Sequence, residues 1–163
     1  MFDDALLARA TALVGAYAEA GTRIATAESC TGGLVAGLLT AVPGSSAVVE
    51  RGFVTYSNEA KSEAIGVPAS LIGVHGAVSE AVARAMAGGA LAASRADVAV
   101  AITGIAGPGG GSPGKPVGLV HFGLATGGGV RHLERRYGDL GRAEIRRRAV
   151  VDALDLLEAA LVS

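Results

Sequence analysis

The chain of 163 residues carries 14 basic and 15 acidic side chains, which gives a formal net charge of -1 at pH 7. Half of its residues are hydrophobic and 18% are charged, so the composition excludes an intrinsically disordered chain. The near-neutral charge disfavours nucleic acid as the main partner, and the single cysteine, Cys30, excludes an intrachain disulfide.

The apolar residues also indicate a fold type and a location. They are mostly alanine, valine and leucine, a composition typical of parallel strands that are covered by helices on both faces. The chain start lacks the basic region of a signal peptide, and no apolar run has membrane-spanning length. We therefore expect a cytoplasmic protein that does not associate with membranes. Scattered histidines and a lone cysteine predict no metal site.

The first third of the chain alternates helical and strand patterns. Apolar spacing, glycines and prolines predict a helix over 3–20, a strand over about 22–27, a helix from 32 to about 41 and a strand over 48–56. Gly21 ends the first helix, and Gly52 is a candidate bulge in the second strand.

The remaining elements flank a long glycine-rich loop, residues 104–116. The patterns predict a helix opening at 57–61, at most a short helical turn over 69–72, a helix from 79 to about 94, a buried strand over 97–103, a hairpin of strands at about 117–126 and 130–137, and a helix over 142–161. We therefore predict an α/β fold, a single three-layer α/β/α domain over residues 1–163. Its sheet is mixed and largely parallel, with an antiparallel hairpin.

The turn after the first predicted strand, within R-I-A-T-A-E-S-C-T-G-G at 23–33, is the first candidate site. A helix that begins here directs unpaired backbone N–H groups at whatever lies over Ser29 and Thr31. Gly32 and Gly33 allow a ligand to approach that backbone closely. The turn therefore favours an anion or a developing oxyanion, although a serine or threonine before a helix is also ordinary capping chemistry.

Polar residues follow two further predicted strands. Tyr56 and Lys61 lie after the second strand, and Thr103 lies directly before the glycine loop. Strand ends carry the sites of open α/β sheets, so we expect these residues to converge with Ser29. A desolvated Lys61 loses its proton more easily and would activate the serine hydroxyl. The alternative is a surface lysine paired with a nearby glutamate.

Three other features leave alternatives open. His75 is a candidate base, but a histidine in a polar connector also commonly satisfies a backbone group. The glycine loop matches neither phosphate-binding fingerprint, yet its N–H groups suit an anion nest. The arginines at 131–148 are typical of a solvated surface, although one of them would suit a phosphate or carboxylate clamp.

Six ordered segments carry a resemblance: T-A-E-S-C-T-G-G at 26–33, P-G-S-S-A at 43–47, E-R-G-F-V-T-Y-S-N-E-A-K at 50–61, H-G-A-V-S at 75–79, T-G-I-A-G-P-G-G-G at 103–111 and K-P-V-G at 115–118. In these segments the chain resembles the CinA C-terminal family. The resemblance covers essentially the whole chain, without the larger N-terminal domain of full-length members. It therefore implies a stand-alone nicotinamide-nucleotide amidase, which converts nicotinamide mononucleotide to nicotinic acid mononucleotide and ammonia in pyridine nucleotide salvage.

The resemblance also implies a set of site residues. It makes Ser29 the nucleophile and Lys61 the base, and it places Tyr56 and Thr103 in the catalytic site. The implied substrate-binding residues are Thr31, Gly32, Gly33, Gly104, Gly107 and Arg142. Two extra residues in G-D-L-G-R at 138–142 separate Arg142 from the shorter G-D-R pattern of the family.

The family further implies no cofactor, no metal, a pyridine nucleotide as the small-molecule substrate and a homodimer. One alternative is a non-catalytic nucleotide-binding module that acts in a competence or DNA-damage response. Another is an amidase that acts on a different pyridine or amide metabolite. Retention of Ser29, Lys61 and Thr103 favours the enzyme over the module, since a degenerate module need not keep them.

Overall fold

The structure, a computed structural model, describes residues 1–162. Its helices are α1 (Asp4–Ala20), α2 (Leu34–Thr40), α3 (Asn58–Ile65), α4 (Ala69–His75), α5 (Glu80–Ala92) and α6 (Arg142–Leu161). Its strands are β1 (Ile24–Glu28), β2 (Val49–Val54), β3 (Val98–Gly104), β4 (Leu119–Thr126) and β5 (Gly129–Arg136). A short 3₁₀ helix, Ser45–Ala47, precedes β2.

The five strands form one mixed sheet in the order β2-β1-β3-β4-β5. The strands β2, β1 and β3 run parallel, and β4 and β5 add an antiparallel hairpin to the far side of β3. The predicted α/β fold class is therefore confirmed. Because the three parallel strands end at the same edge, the segments after β1, β2 and β3 meet there.

Two apolar layers cover the sheet. Val100 and Ile102 of β3 pack in a core with buried residues of α1, α2 and α6, whereas Ala99 and Ala101 pack in a second core with α3, α4 and α5. Small residues allow close contact in this second layer. A Cβ at Gly123 would lie 2.3 Å from the Ala83 carbonyl oxygen, so only glycine lets α5 pack this close to β4.

Two local predictions are wrong. The segment predicted as at most a helical turn over 69–72 is the helix α4, because Pro68 begins it and burial of Ile72 stabilises a second turn. The bulge does not lie at Gly52, since the register between β1 and β2 shifts beside residue 50. Gly52 instead provides space, because a Cβ there would lie 3.0 Å from the Thr26 hydroxyl oxygen.

Candidate active site

Ser29 lies directly after β1, at the sheet edge where the parallel strands end. Its backbone N–H donates to the Ile102 carbonyl (2.9 Å), which extends the pairing of β1 with β3 by one residue. Its carbonyl accepts from the Gly32 N–H (2.9 Å) and closes a tight turn. The φ angles of Gly32 and Gly33 are 58° and 98°, so the turn needs glycine at both positions. The half-buried Ser29 side chain is thereby presented by an ordered backbone.

Lys61 reaches this serine from α3. Ser57 caps the helix by accepting from the Ala60 N–H (3.0 Å), and Lys61 lies one turn further along. Its side chain is buried, with a relative exposure of 1%, and its Nζ lies 3.1 Å from the Ser29 Oγ. Two backbone carbonyls, those of Thr55 (2.9 Å) and Tyr56 (3.4 Å), also contact Nζ. The alternative of a surface lysine paired with a glutamate is therefore wrong.

The burial of Lys61, and not its hydrogen bonds, favours the neutral amine. Burial in the interior lowers the pKa of Lys61 below its ordinary value of 10.5, because it removes water from the ammonium. A neutral amine has two N–H donors and one lone pair, and two of its three neighbours are carbonyls that only accept. Both N–H groups can satisfy the carbonyls while the lone pair accepts the Ser29 hydroxyl proton. The arrangement can therefore activate a serine nucleophile without a histidine.

Glu28, the last residue of β1, supports the start of α2 beside the site, a role that sequence reasoning missed. It is fully buried, and its carboxylate accepts from the backbone N–H groups of Val35 (2.9 Å) and Ala36 (3.0 Å). The prediction that the start of α2 offers unpaired N–H groups to a ligand is therefore wrong for these two amides. The capping alternative also fails, since Gly33 is the N-cap and provides no side chain. The sequence signal that could have revealed this role is an acidic residue at the end of an apolar strand.

Tyr56, Gly107 and Arg142 form a second, more exposed group. The Arg142 guanidinium donates to the Tyr56 hydroxyl (2.9 Å) and to the Gly107 carbonyl (3.0 Å). The start of α6 is thereby connected to the glycine loop and to the segment after β2. The Tyr56 side chain is 58% exposed, whereas its carbonyl contacts the buried Lys61. Tyr56 thus borders both parts of the site.

Arg146 contacts the turn after Ser29, which sequence reasoning missed. Its Nε donates to the Cys30 carbonyl (3.0 Å), and its Nη2 donates to the Thr31 carbonyl (3.1 Å). The next two arginines of α6 follow the predicted surface pattern, because they pair with Asp3 and Glu144. The spacing of four between Arg142 and Arg146 was the available signal, since it places both on one face of the helix.

Thr103, Gly104 and Thr31, which the resemblance implies as site residues, make no side-chain hydrogen bond to Ser29 Oγ or Lys61 Nζ in the described part of the chain. The Thr103 hydroxyl donates to the Ala77 carbonyl (2.9 Å), and within residues 1–162 it bonds to neither Ser29 nor Lys61. Gly104 serves close packing, because a Cβ there would lie 2.7 Å from a Val120 methyl group and 3.1 Å from the Cys30 sulfur. Thr31 is fully buried, and its hydroxyl has no hydrogen-bond partner in the described part of the chain.

Two other potential catalytic groups lie outside this arrangement. Burial raises the pKa of the Cys30 thiol to about 12, so the thiolate is not a nucleophile here. His75 ends α4, where its backbone carbonyl accepts from Lys115 (2.6 Å).

Among residues 1–162, no cluster of three or more histidine, cysteine or acidic side chains could hold a metal ion. In the same range, no helix combines the length and apolar character that crossing a membrane requires.

Comparison with known proteins settles the family. The chain matches the CinA C-terminal domain over residues 7–161. It belongs to the CinA family. A "CinA-like protein" of Anaeromyxobacter sp. (strain Fw109-5) is 55% identical over 150 residues, which are 91% of this chain and 36% of that protein. A "putative competence-damage inducible protein" of Caldicellulosiruptor bescii is 48% identical over 151 residues, 92% of this chain and 36% of its own length. The chain thus spans about a third of these CinA relatives.

Solved CinA structures share the whole fold. The competence/damage inducible protein CihA from Agrobacterium tumefaciens is 52% identical, with a TM-score of 0.96 over 100% of this chain and 99% of that one. The CinA superfamily protein KP700603 from Klebsiella pneumoniae 700603 is 37% identical, with a TM-score of 0.91 over 96% and 98% of the two chains. The sheet order and the edge that carries Ser29 therefore belong to an experimentally observed CinA fold.

Proposed function

We propose that this CinA-family chain is an amidohydrolase that converts nicotinamide mononucleotide to nicotinic acid mononucleotide and ammonia. The contact between the buried Lys61 Nζ and the Ser29 Oγ, 3.1 Å apart, carries the proposal. A serine beside a lysine of lowered pKa is suited to acyl transfer, since the lysine can hold the serine proton at neutral pH. The family resemblance supports nicotinamide mononucleotide as the amide that is cleaved.

In the first half of the reaction, Ser29 Oγ attacks the carboxamide carbon and its proton moves to Lys61 Nζ. The tetrahedral intermediate then expels ammonia, and Lys61 returns the proton to the leaving nitrogen. The product is a nicotinoyl ester of Ser29 whose pyridine ring still carries the ribose phosphate. The carbonyls of Thr55 and Tyr56 hold the lysine in place through both steps because they accept its remaining N–H groups.

In the second half, a water molecule attacks the nicotinoyl ester while the neutral Lys61 accepts its proton. Collapse of this second intermediate releases nicotinic acid mononucleotide and returns the proton to Ser29 Oγ. The Val35 and Ala36 amides donate to Glu28, so they are not available to stabilise the negatively charged oxygen of either tetrahedral intermediate. No step in this sequence needs a cofactor.

Substrate recognition is assigned to the exposed group around Arg142. Its guanidinium already lies between the Tyr56 hydroxyl and the Gly107 carbonyl, and the residue is exposed to solvent. A planar guanidinium binds phosphate through paired N–H donors, which suits the phosphate of the nucleotide. The adjacent glycine loop would add backbone N–H groups.

The test is ammonia release from nicotinamide mononucleotide by the wild type, Ser29→Ala and Lys61→Ala. Ser62→Ala, on the same helix as Lys61, is the matched control, and circular dichroism checks folding. We expect activity in the wild type and the control, and its loss in both site variants. A wild type that binds the nucleotide without releasing ammonia would overturn the amidase.

A second candidate is a non-catalytic nucleotide-binding module in a competence or damage response. The observation that favours it is the naming of relatives and solved neighbours as competence-damage or damage-inducible proteins. This reading predicts nucleotide binding that is unchanged in Lys61→Ala and no turnover in any variant. The ammonia assay therefore separates the two candidates directly.

A further inference from the structure

Arg146 makes contacts that set it apart from Arg147 and Arg148, the next two arginines of α6. Arg147 and Arg148 bind carboxylates, whereas both Arg146 bonds go to carbonyls of the turn after Ser29. Within residues 1–162, no carboxylate pairs with Arg146. A half-buried guanidinium without a counter-ion thus donates to Cys30 and Thr31 only.

The bond to Thr31 reaches the nucleophile through a single peptide unit. The Thr31 carbonyl and the Gly32 N–H belong to one planar peptide, so holding the carbonyl also orients the N–H. That N–H donates to the Ser29 carbonyl (2.9 Å), while the Ser29 N–H donates to Ile102 of β3 (2.9 Å). Both backbone groups of Ser29 are therefore held, one by the sheet and the other by Arg146 through Gly32.

The turn needs such a contact because its own sequence gives it little rigidity. Gly32 and Gly33 are the most permissive residues for backbone rotation, and Gly33 offers no side-chain cap to α2. The forked guanidinium reaches two successive carbonyls at once, which the single ammonium of a lysine does not reproduce. Rotation of this turn would move Ser29 Oγ away from Lys61.

We propose that Arg146 is a positioning residue for the nucleophile, a role that rests on the proposed amidase. It keeps Ser29 Oγ aligned with Lys61 and does not contact the substrate. We call the two Arg146 bonds to Cys30 and Thr31 the clamp. Because misplacement of a reacting group by about 1 Å can lower a rate about 100-fold, loss of the clamp should lower kcat by about 10- to 100-fold. The KM for nicotinamide mononucleotide should change by less than about threefold, since ground-state binding is untouched.

The experiment compares Arg146→Ala and Arg146→Lys with Arg147→Ala, an exposed neighbour that pairs with Asp3. We expect both Arg146 variants to lose kcat and Arg147→Ala to keep it. Arg146 borders a surface groove of about 390 Å³ beside Phe2 and Leu34, so a small guanidinium can reach its position. Added ethylguanidinium should restore kcat to Arg146→Ala, which a merely structural defect would not allow.

A second measurement keeps this proposal independent of the substrate. A fluorophosphonate labels an activated serine, because Ser29 Oγ displaces fluoride from phosphorus while Lys61 takes the proton; intact mass gives the rate. Slower labelling in Arg146→Ala than in Arg147→Ala supports the clamp, and equal labelling overturns it. Ammonia release by the wild type with kcat retained in Arg146→Ala would sink the clamp and leave the amidase standing. A wild type that is labelled but releases no ammonia would overturn the amidase and leave the role of Arg146 to be decided by the labelling rates. A wild type that is neither labelled nor active would overturn both proposals.

Discussion

The two parts of the candidate site differ in their contact with water. The Ser29–Lys61 pair is held by backbone groups in the interior, with Lys61 only 1% exposed. The group around Arg142 lies at the surface, where Tyr56 is 58% exposed. Burial favours a neutral amine that can act as a base, whereas exposure leaves a guanidinium free to meet a charged ligand. This difference supports the proposed division, in which the first part carries the reaction and the second binds the substrate.

The largest effect expected from this division is the pH dependence of turnover. Lys61 must be neutral to accept the Ser29 proton, and burial lowers its pKa below 10.5. In the wild type, kcat/KM should rise about tenfold per pH unit while the amine is mostly charged, and should level off below pH 10.5. The rise should be absent from the residual activity of Lys61→Met.

Steady-state kinetics between about pH 6 and pH 10 would check this dependence. Lys61→Arg is the informative second variant, since it keeps a positive charge but cannot serve as a base. We expect it to be as inactive as Lys61→Met. Substantial activity in Lys61→Arg would mean that charge, not proton transfer, is what the position supplies.

Truncation of Arg142 in the exposed part of the site should affect KM and not kcat. Arg142→Ala should raise the KM for nicotinamide mononucleotide by about 10- to 100-fold, because a charged hydrogen bond to phosphate is lost. Its kcat should stay within about threefold of the wild type, since Ser29 and Lys61 do not contact the guanidinium. Kinetics with the nucleotide and with nicotinamide riboside, which lacks the phosphate, would separate the two effects.

Nicotinamide riboside is the control substrate for this variant, and Arg148→Ala is the control substitution, because Arg148 pairs with Glu144 on the same helix. The KM for the riboside should be nearly the same in Arg142→Ala and the wild type. Equal increases in KM for both substrates would contradict a phosphate contact and would favour a general role of Arg142 in ordering the glycine loop.

Glu28 belongs to the buried part of the site, so its substitution should lower the stability of the fold. Glu28→Ala leaves the Val35 and Ala36 amides unpaired in the interior, which should lower the free energy of unfolding by about 2–4 kcal/mol. Ser57→Ala removes an exposed cap from α3 and should cost only about 1 kcal/mol. Urea unfolding of both variants provides the comparison. A smaller loss in Glu28→Ala than in Ser57→Ala would show that water replaces the carboxylate.

Much of the fold was predictable because its strong signals are local. The continuous apolar run of β3 and the glycine after α1 each determine an element without reference to the rest of the chain. The helix α4 was underestimated because its stability comes from burial of Ile72 against the second core, a tertiary contact that its short pattern does not reveal. The register shift beside residue 50 likewise depends on pairing with β1.

The site was predictable only in part, for a related reason. Ser29 and Lys61 follow strands that run parallel, so their meeting follows from topology once the strands are neighbours. Glu28 and Arg146 act on backbone groups, and backbone groups carry no sequence signature. Arg146 reaches the Cys30 carbonyl across 116 positions of sequence, and an arginine on a surface helix more often remains solvated.

The smallest effect, and the one that bears most directly on the buried half, is the pH dependence of stability. The folded pKa of Lys61 lies below 10.5, so between that pKa and 10.5 the unfolded chain binds more protons than the folded chain. The contribution of Lys61 to the free energy of unfolding therefore rises with pH across this window and is constant below it. Lys61→Met has no such contribution, so in urea unfolding the stability of the wild type relative to Lys61→Met should increase as the pH is raised toward 10.5. Arg142→Met, which removes an exposed cation, should show a difference from the wild type that does not change with pH. A flat difference for Lys61→Met would mean that the lysine stays charged in the folded protein, and Ser29 would then have no base.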